Sequence, residues 1–321
     1  MSPLFGGNNR KEKTIAILDI ENGSVGAALA RISRAHAPKL YGEIRIPIPY
    51  TYARNTAALM QRIGEALRQS LVHTSTVAAR LRNHNFEDHG NISRIAVFLS
   101  PPWATMQINE GAVDFSRPIQ EMVRHGATSM FGYKPVTFHP IGTAVAHGSA
   151  VLFPSGEPRI LCIVSSEMSE LLILSQQGVH GRGTIPVGLY TLLRTLTAHG
   201  GVSSGEAISF LKIAPTTSHE LHEPLIHAQR HFASQFTDAF RELRAHVSPQ
   251  EVLIIAPAPS EELFARALIE DDSLSDLFPD GGTVRALRPH HVSEFIGAHA
   301  RQPDLHLMLE TLFADAKFSG I

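Results

Sequence analysis

The 321-residue sequence contains one cysteine, Cys162, and one tryptophan, Trp103. A single thiol excludes an internal disulfide bond, which is typical of proteins that work in a reducing compartment. The sequence also lacks a run of about 18 apolar residues that would span a bilayer, and its first residues lack the apolar core of a signal peptide. We therefore expect a cytoplasmic protein without direct membrane insertion.

The sequence also has no excess of charge of one sign. Lys and Arg total 28 against 30 Asp and Glu, which gives a net charge of −2. Without a basic field or a basic run, nucleic acid is not an expected partner. Because 43% of the residues are hydrophobic and 18% are charged, the chain is expected to be globular, and its length predicts two modest domains.

The first clear structural signal is the stretch LDIENGSVG, residues Leu18–Gly26. It joins two apolar runs, Thr14–Leu18 and Val25–Ile32, which predict a buried strand and its return strand. Asn22-Gly23 between the two runs is typical of a type I′ hairpin turn, because that turn needs positive φ at both central residues.

The second half of the chain opens in a similar way. Strands are predicted at Arg159–Ser165 and Glu170–Ser175, and the next turn at Gly178–Gly183. Helices and strands alternate through the rest of the chain, which predicts the α/β class. The helices are expected at Thr56–Leu71, Ile119–Phe131, Pro186–Ala198, Leu225–Val247 and Leu305–Phe313, and further strands at Ile44–Pro49, Ile92–Ser100, Glu251–Ala256 and Thr283–Leu287.

Two helix starts have a side-chain signature. Ser203 and Glu206 form a Ser-x-x-Glu capping box, in which each side chain accepts from a free backbone N–H at the helix start. Ser260 is placed to cap the helix that carries Leu263 and Leu268.

Three motifs together resemble the actin-like ASKHA superfamily, and within it the FtsA/PilM branch. Leu18–Gly26 is similar to the PilM-like motif Leu-Asp-Ile-Gly-Ser-Ser-Ser-Val-Lys. Ile163–Leu171 is similar to the second motif, Asp-Ile-Gly-x-Glu-x-Thr-x-Leu. Gly178–Lys212 resembles the Arg-x-Ile-Pro-x-Gly stretch and the Gly-Ile-Ser-x-x-Glu-Ala helix of that branch.

The resemblance implies a domain organisation. It implies two actin-like (ribonuclease H-like) domains, residues 1–152 and 153–321. A small inserted subdomain is expected at about 40–118, and a helical subdomain at about 186–250.

The resemblance also implies a nucleotide cleft between the two hairpins, in which turn N–H groups bind phosphates and an aspartate from each hairpin orients Mg²⁺. In this sequence, the residues expected at the two phosphate loops of such a cleft are Asp19, Asn22, Gly23, Ser24, Ser165, Ser166 and Ser169. Pro257 and Ala258 are expected at its adenosine turn.

The sequence departs from the family pattern at three of these places. Glu21 replaces a glycine, and its carboxylate would repel phosphate if it pointed into the cleft. Ile163 replaces the second aspartate, and Ala256–Pro259 replaces a Gly-Gly turn, where proline removes a backbone donor. We therefore predict no catalytic residue and no metal site, and as cofactor either none or weakly bound ATP with Mg²⁺.

The function implied by the PilM-like resemblance is that of a cytoplasmic scaffold recruited to the inner face of the membrane. It would bind a peptide of an inner-membrane pilus assembly protein beside the inserted subdomain, and actin relatives also imply self-association. One alternative is an ATP-dependent phosphotransferase or ATPase, with Glu21 in place of a missing acid. Another is an FtsA-like division protein, although Asp304–Ile321 carries only Lys317 and lacks the basic amphipathic character of a membrane tether.

Other residues admit a functional or a structural interpretation. His227 and His231, with Glu223 one turn earlier, have a spacing that suits zinc, but the neighbouring apolar stripe of the helix favours a solvated surface instead. Cys162 lies in an apolar strand, which favours an inert buried thiol over a nucleophile. Trp103 is either an exposed anchor for a partner or a filler at a sheet edge.

Overall fold

The computed structural model describes residues 12–52, 55–83, 90–106, 113–213, 222–243, 249–271, 278, 281–298 and 300–319. Its strands are β1 (Lys13–Ile20), β2 (Ser24–Ile32), β3 (Lys39–Pro47), β4 (Ile92–Leu99), β5 (Ala104–Met106), β6 (Val113–Phe115), β7 (Val136–Pro140), β8 (Arg159–Val164), β9 (Ser169–Ser175), β10 (Gly178–Ile185), β11 (Glu251–Ile255), β12 (Thr283–Ala286) and β13 (Gly297–Ala298). Its helices are α1 (Thr56–Asn83), α2 (Arg117–Phe131), α3 (Ile141–Leu152), α4 (Leu189–Gly200), α5 (Ser204–Ile213), α6 (His222–Leu243), α7 (Glu261–Ile269), α8 (Pro289–Val292) and α9 (Leu305–Phe318).

The two main sheets repeat one topology. The first has the order β13-β3-β2-β1-β4-β7 and the second β10-β9-β8-β11-β12. In each, the first three strands of the half form an antiparallel meander, and two later strands extend the sheet in parallel beyond its first strand. The predicted α/β class and the predicted paired hairpins are therefore confirmed.

Each half covers a face of its sheet with its own helices. On the first sheet α1 and α2 pack against β1 and β2, with Leu59, Ile63 and Leu67 fully or almost fully buried. On the second sheet α4 to α7 build a larger core around Phe232, Phe236, Phe240 and Phe264. These side chains repeat every three or four residues, so each helix presents one apolar stripe.

The remaining faces of the two sheets share one core. It contains β1 and β2 residues, β8 and β9 residues, and the helices α3 and α9, which cross between the sheets. Gly148 permits this crossing, because a Cβ at that position would lie 2.5 Å from Leu309 Cδ2. β13, from the second half, also pairs with β3 at the edge of the first sheet.

Some predicted elements differ from the observed ones. The glycines at Gly178–Gly183 form the strand β10 rather than a turn, and a Cβ on Gly183 would lie 2.9 Å from Leu243 of α6, so this glycine serves close packing. α1 continues beyond the predicted end at Leu71, because the small buried residues Thr74 and Ala78 extend its stripe. α3 has no counterpart among the predicted helices, and the predicted end of α6 at Val247 lies outside the described residues.

The predicted insertion at about 40–118 overlaps the first sheet. β3 and β4 lie in the six-stranded sheet, and α1 packs on it. Among the described residues of that range, β5 and β6 form a two-stranded ribbon separate from the six-stranded sheet.

The two predicted helix caps have different outcomes. The Ser203 N–H donates to Glu206 Oε2 at 2.8 Å and the Glu206 N–H donates to Ser203 Oγ at 3.3 Å, so the capping box is confirmed. Ser260 stands at the N-cap of α7, but its hydroxyl donates to the Pro257 carbonyl at 2.5 Å instead of capping the helix.

Candidate functional site

The turns of the two hairpins meet face to face. In the first turn, the Glu21 N–H donates to the Ser24 carbonyl at 3.1 Å, and in the second, the Ser165 N–H donates to the Met168 carbonyl at 2.9 Å. The Ser166 hydroxyl donates across to Glu21 Oε2 at 3.4 Å. The space between the turns is therefore filled by side chains of the protein.

Gly23 is needed for a reason other than the predicted type I′ turn. Its φ is not positive, so the hairpin turn is not type I′. A Cβ at this position would collide with the side chain of Ser166 on the opposite turn and would lie 2.6 Å from the Tyr190 hydroxyl oxygen. Glycine is required here because the second half of the chain packs directly on the backbone of the first turn.

Two tyrosines join the halves beside these turns. The Tyr190 hydroxyl, at the start of α4, hydrogen-bonds to the carbonyl oxygens of Ile48 and Gly23. Burial raises the pKa of Tyr190, so its hydroxyl remains a donor. Tyr50 receives a hydrogen bond from Ser204 Oγ at 2.9 Å, and its ring lies 5.8 Å from that of Tyr190. We call Tyr50 and Tyr190 the tyrosine clamp.

Behind the first turn lies a buried cluster of charged residues around Arg45. Asp19 on β1 pairs with Gly26 on β2, and Gly26 pairs with Arg45 on β3, so the three residues lie side by side across the sheet. A Cβ on Gly26 would lie 2.9 Å from Arg45 Nη2. The glycine thus lets the guanidinium reach over β2 to Asp19 Oδ2 at 2.6 Å.

Arg45 also binds the start of α9. Its Nε lies 2.5 Å from Asp304 Oδ2, and its Nη2 donates to Asp304 Oδ1 at 3.1 Å. Asp304 in turn caps the helix, because its side chain accepts from the Leu307 N–H at 3.2 Å. Although burial opposes it, the Arg45 guanidinium lowers the pKa of Asp304 to about 2.

The other acids of this Arg45 cluster titrate in different directions. Burial raises the pKa of Asp19, but Arg45 and His306 together outweigh burial, and the pKa is lowered. For Glu21 burial outweighs Arg45, and the pKa is raised. Glu310 on α9 is fully buried, so desolvation and then the charge of Asp19 raise its pKa well above the ordinary value. Glu310 is therefore a neutral acid beside an ionised one.

Several polar atoms of the cluster lack a hydrogen-bond partner among the described residues: Asp19 Oδ1, His306 Nε2 and both carboxyl oxygens of Glu310. His306 Nδ1 lies 3.8 Å from Asp19 Oδ2. Burial lowers the pKa of His306, but the nearby carboxylate of Asp19 prevails and the pKa is raised.

A cavity of about 200 Å³ opens next to the Arg45 cluster. Arg45, Asp304 and His306 line one side, and the turn after β11 lines the other with Ala256, Pro257 and Ala258. The predicted adenosine-turn residues therefore border a space that the Arg45 cluster also reaches.

Comparison with solved structures places this arrangement in a known architecture. A structure of the PilM-PilN type IV pilus biogenesis complex covers 96% of this chain and 97% of its own, with a TM-score of 0.59 and 13% identity. The chain therefore has an actin-like fold. The predicted two-domain actin-like fold is confirmed.

Two further structures share this actin-like fold. The ethanolamine utilization protein EutJ from Carboxydothermus hydrogenoformans covers 94% of this chain and 89% of its own, with a TM-score of 0.53 and 12% identity. A ROK family glucokinase from Streptomyces griseus, in complex with glucose and AMPPNP, covers 86% and 94%, with a TM-score of 0.52 and 12% identity. No protein-family model and no curated protein matches the sequence.

The predicted phosphate-loop residues of this actin-like chain divide into two groups. Asp19, Gly23, Ser24 and Ser166 come together, with the Ser24 hydroxyl donating to Glu21 Oε1 at 2.6 Å. The others bind within their own segments: Ser165 Oγ donates to the Met168 carbonyl at 2.8 Å, and Ser169 Oγ to the Val187 carbonyl at 2.7 Å. Asn22 Oδ1 is buried without a hydrogen-bond partner in the described part of the chain.

Sequence reasoning missed Arg45, Tyr190 and the α9 residues of the cluster. Arg45 stands between Ile44 and Ile46 in a strand, where a lone charge is a weak sign of a buried partner. Glu310 is likewise isolated within the apolar run of α9. Asp304 is the residue that a search for helix caps would have found, because it precedes that run.

The remaining candidates lie away from this site. His227 and His231 are exposed on α6, and no group of three or more potential metal ligands is found among the described residues. Cys162 is buried, and burial raises its pKa, so the thiol is inert. Trp103 is half-buried against the core of the first sheet, which favours the edge filler. No helix among the described residues is long and apolar enough to cross a membrane.

Proposed function

We propose that this protein is an actin-like scaffold that uses its own side chains to close the cleft, and that it binds a membrane-anchored partner protein at the inner face of the membrane. The observation that carries the proposal is the direct contact between the two hairpin turns through Glu21 and Ser166. In an active cleft the same turns would have to separate to admit a phosphate.

The surroundings of Glu21 support this proposal. Its carboxylate accepts from Ser24 Oγ and Ser166 Oγ, one from each turn, and Arg45 Nη1 lies 3.5 Å away. Hydroxyl groups from two turns and a nearby cation are what a phosphate would need. The carboxylate of Glu21, which belongs to the protein itself, thus takes the position that a ligand phosphate would occupy.

The rest of the cleft agrees with a loss of nucleotide chemistry. Ile163 provides no carboxylate from the second hairpin, and Asp19 is engaged by Arg45 rather than free to orient a metal ion. Pro257 and Ala258 place side chains where the superfamily has glycines. We therefore propose that the protein has no nucleotide cofactor, or binds ATP only weakly.

The partner is proposed from the PilM likeness. PilM is found in complex with PilN, and the PilM-like resemblance of the sequence implies a peptide of an inner-membrane assembly protein as ligand. α9, from Leu305 to Ala314, is buried, so this helix is not free to serve as an FtsA-like membrane tether. These features favour recruitment by a protein over recruitment by a lipid surface.

Calorimetry with ATP and Mg²⁺ tests the cleft. We expect no binding to the wild-type protein at millimolar ATP, and weak binding to Glu21→Gly, since that change leaves the Ser24 and Ser166 hydroxyls without their carboxylate acceptor. Glu21→Gln is the matched control that keeps the volume of the side chain. Tight binding to the wild type that Asp19→Ala abolishes would overturn the proposal.

Affinity purification under crosslinking tests the partner. We expect enrichment of an inner-membrane assembly protein from membrane fractions, at equal levels with and without nucleotide depletion. Recovery of cytosolic proteins alone would contradict the scaffold role.

The alternative is an ATP-dependent phosphotransferase, which the likeness to a glucokinase bound to AMPPNP and the cavity beside Pro257 favour. The calorimetry distinguishes the two, because a phosphotransferase must bind ATP with the wild-type cleft.

A further inference from the structure

A second cavity opens between α3 and the hairpin of β9 and β10, and it shares no lining residue with the cavity beside the Arg45 cluster. Its volume is about 430 Å³, within the size range of cavities that hold small molecules. Its lining includes Ala146, Ser149 and Phe153, on or directly after α3, Arg159 at the start of β8, and Val179 on β10. The cavity therefore lies at the junction of the two halves, away from the two hairpin turns.

The main polar feature of this cavity is a buried arginine with poor partners. The Arg159 side chain is 6% exposed, and its hydrogen bonds to described residues are long: Nε to the Glu157 carbonyl and Nη2 to Ser155 Oγ, each at 3.4 Å. Its Nη1 has no hydrogen-bond partner in the described part of the chain. Arg45, by contrast, has carboxylate oxygens within 2.5 Å of Nε and 2.6 Å of Nη2. A buried guanidinium is normally paired in this way, so Arg159 lacks a close anion.

The neighbouring carboxylates do not supply that anion. Glu251, which pairs with Arg159 across β11 and β8, comes within 3.9 Å of Nε, beyond hydrogen-bond distance, and its other oxygen is bound by Arg285. Glu157 attracts Arg159 electrostatically, but it is exposed, so solvent screens its charge. Burial lowers the pKa of Arg159, and the charges of the two glutamates do not offset this effect. The guanidinium is nevertheless charged at neutral pH.

Two further residues of the lining also lack contacts. Ser149 is 1% exposed, and its hydroxyl has no hydrogen-bond partner among the residues that the structure describes. Val179 is 48% exposed, although it is a large aliphatic residue. An arginine has donors only, and a serine hydroxyl rotates to donate where an acceptor is near, so a ligand oxygen would satisfy both polar groups. Apolar atoms of the same ligand would cover Val179.

We propose that this cavity binds a small organic acid, whose carboxylate is held by Arg159 and Ser149 and whose apolar body covers Val179. A carboxylate matches the planar fork of a guanidinium, and the hydrogen bonds between them are charge-assisted. Burial lowers the pKa of His147, which also lines the cavity, so this ring is neutral and adds no charge of its own. Because the lining comes from α3 and from β8 to β10, the bound acid would join the two halves.

The test is calorimetry and saturation-transfer NMR on the full-length protein with two acids, hexanoate and 3-phenylpropionate. We expect saturable binding of at least one acid, binding of 1-hexanol at least about tenfold weaker than that of hexanoate, and no binding of hexylamine. The bound acid should raise the melting temperature, because it binds the folded state. Failure of both acids to bind would overturn the proposal, as would equal binding of hexanoate and 1-hexanol. Binding of a peptide through its C-terminal carboxylate, but of neither acid, would overturn it as well.

Two variants locate the site. Arg159→Met should abolish binding of the acid without lowering the melting temperature of the free protein, because it replaces a poorly paired buried charge with an apolar side chain. Ala150→Trp, at an exposed position of α3 that lines the cavity, should block binding, whereas Ala57→Trp, at an exposed position of α1, is the matched control and should bind normally. Unchanged binding in Arg159→Met, or equal binding in the two tryptophan variants, would contradict the assignment. None of these results depends on nucleotide or on the partner protein, so failure here is separate from failure of the proposed function.

Discussion

In the first half of the molecule, an acid, a glycine and an arginine lie in line across β1, β2 and β3. At the corresponding place in the second half, Ile163 on β8 pairs with Glu170 on β9, and Glu170 pairs with Thr184 on β10. The same strand order therefore carries two different distributions of charge.

The acid of the second half has its own partner. Glu170 Oε1 lies 3.1 Å from Arg182 Nε, and its Oε2 faces the start of α3, where a Cβ on Gly142 would lie 2.6 Å away. In each half, an arginine–carboxylate pair therefore lies near the start of the helix that packs on its sheet from the other half: Arg45 and Asp19 near α9, and Arg182 and Glu170 near α3. Arg45 contacts the three carboxylates Asp19, Glu21 and Asp304, whereas Arg182 contacts Glu170, so we expect the first half to be the more sensitive to a change in charge.

The largest difference in stability is expected between two single variants, one that removes Arg45 and one that removes Arg182. Arg45→Met leaves the buried Asp19 and Glu21 and the partly exposed Asp304 without their cation and should lower the free energy of unfolding by about 3–5 kcal/mol. Arg182→Met leaves only Glu170 and should lower it by about 1–2 kcal/mol. Urea denaturation measures both, and an equal loss would show that the three acids do not share Arg45.

A smaller effect is expected at the glycine between the charges. Gly26→Ala places a methyl group against Arg45, which its ion pairs hold in position, and should lower the free energy of unfolding by about 1–2 kcal/mol. In an Arg45→Met background the same change should have little effect, because the obstacle is gone.

Gly181→Ala on β10 is the control for this prediction. Its nearest atom, Ile173 Cδ1, lies 3.4 Å from the added Cβ, so the change should be tolerated. Additive losses for Gly26→Ala and Arg45→Met would contradict the steric account.

The pH dependence of stability compares the two buried glutamates, Glu310 and Glu170, which both have raised pKa values. A raised carboxyl pKa stabilises the fold fully below the unfolded value, 4.5, and this stabilisation is lost as pH rises toward the folded value. Each such group removes about 1.4 kcal/mol per pH unit in that interval. Glu310→Gln should therefore raise the melting temperature by a few degrees more at pH 8 than at pH 5.

Glu170→Gln should have a smaller effect of the same kind, because Arg182 opposes the rise of its pKa. Thermal denaturation across this pH range measures both variants. A pH slope in Glu310→Gln as steep as in the wild type would show that Glu310 is not the acid responsible.

The smallest difference is expected between two serines at matching hairpins. Ser24 Oγ accepts from Arg45 Nη1 at 2.7 Å and donates to Glu21, whereas Ser169 Oγ donates to a backbone carbonyl. Hydrogen bonds to charged groups are the stronger ones, so Ser24→Ala should lower stability by about 1.5–3 kcal/mol and Ser169→Ala by about 1 kcal/mol. The reverse order in a denaturation experiment would contradict the charge contrast.

The sequence predicts the parts of this contrast that depend on local pattern. Both hairpins follow from apolar runs separated by turn residues, whereas Asp19 and Ser166 are expected at the site only because their motifs resemble those of the actin-like family. The pairing of Arg45 with Asp304 joins residues 259 positions apart, which no local period can reveal. α3 is not predicted because Ile141 and Val145 are the large apolar residues of its buried face, and the small residues Gly142, Ala144 and Gly148 make up most of the rest.

The crossing of α3 and α9 has a consequence for the order of folding. The apolar face of β1 and β2 is covered by α9, so a nascent first half would expose that face until the chain has been synthesised as far as Phe318. Contacts between such distant segments slow folding and lengthen exposure to aggregation. The two halves are therefore one cooperative unit, and the N-terminal half should depend on a chaperone or on rapid completion of the chain.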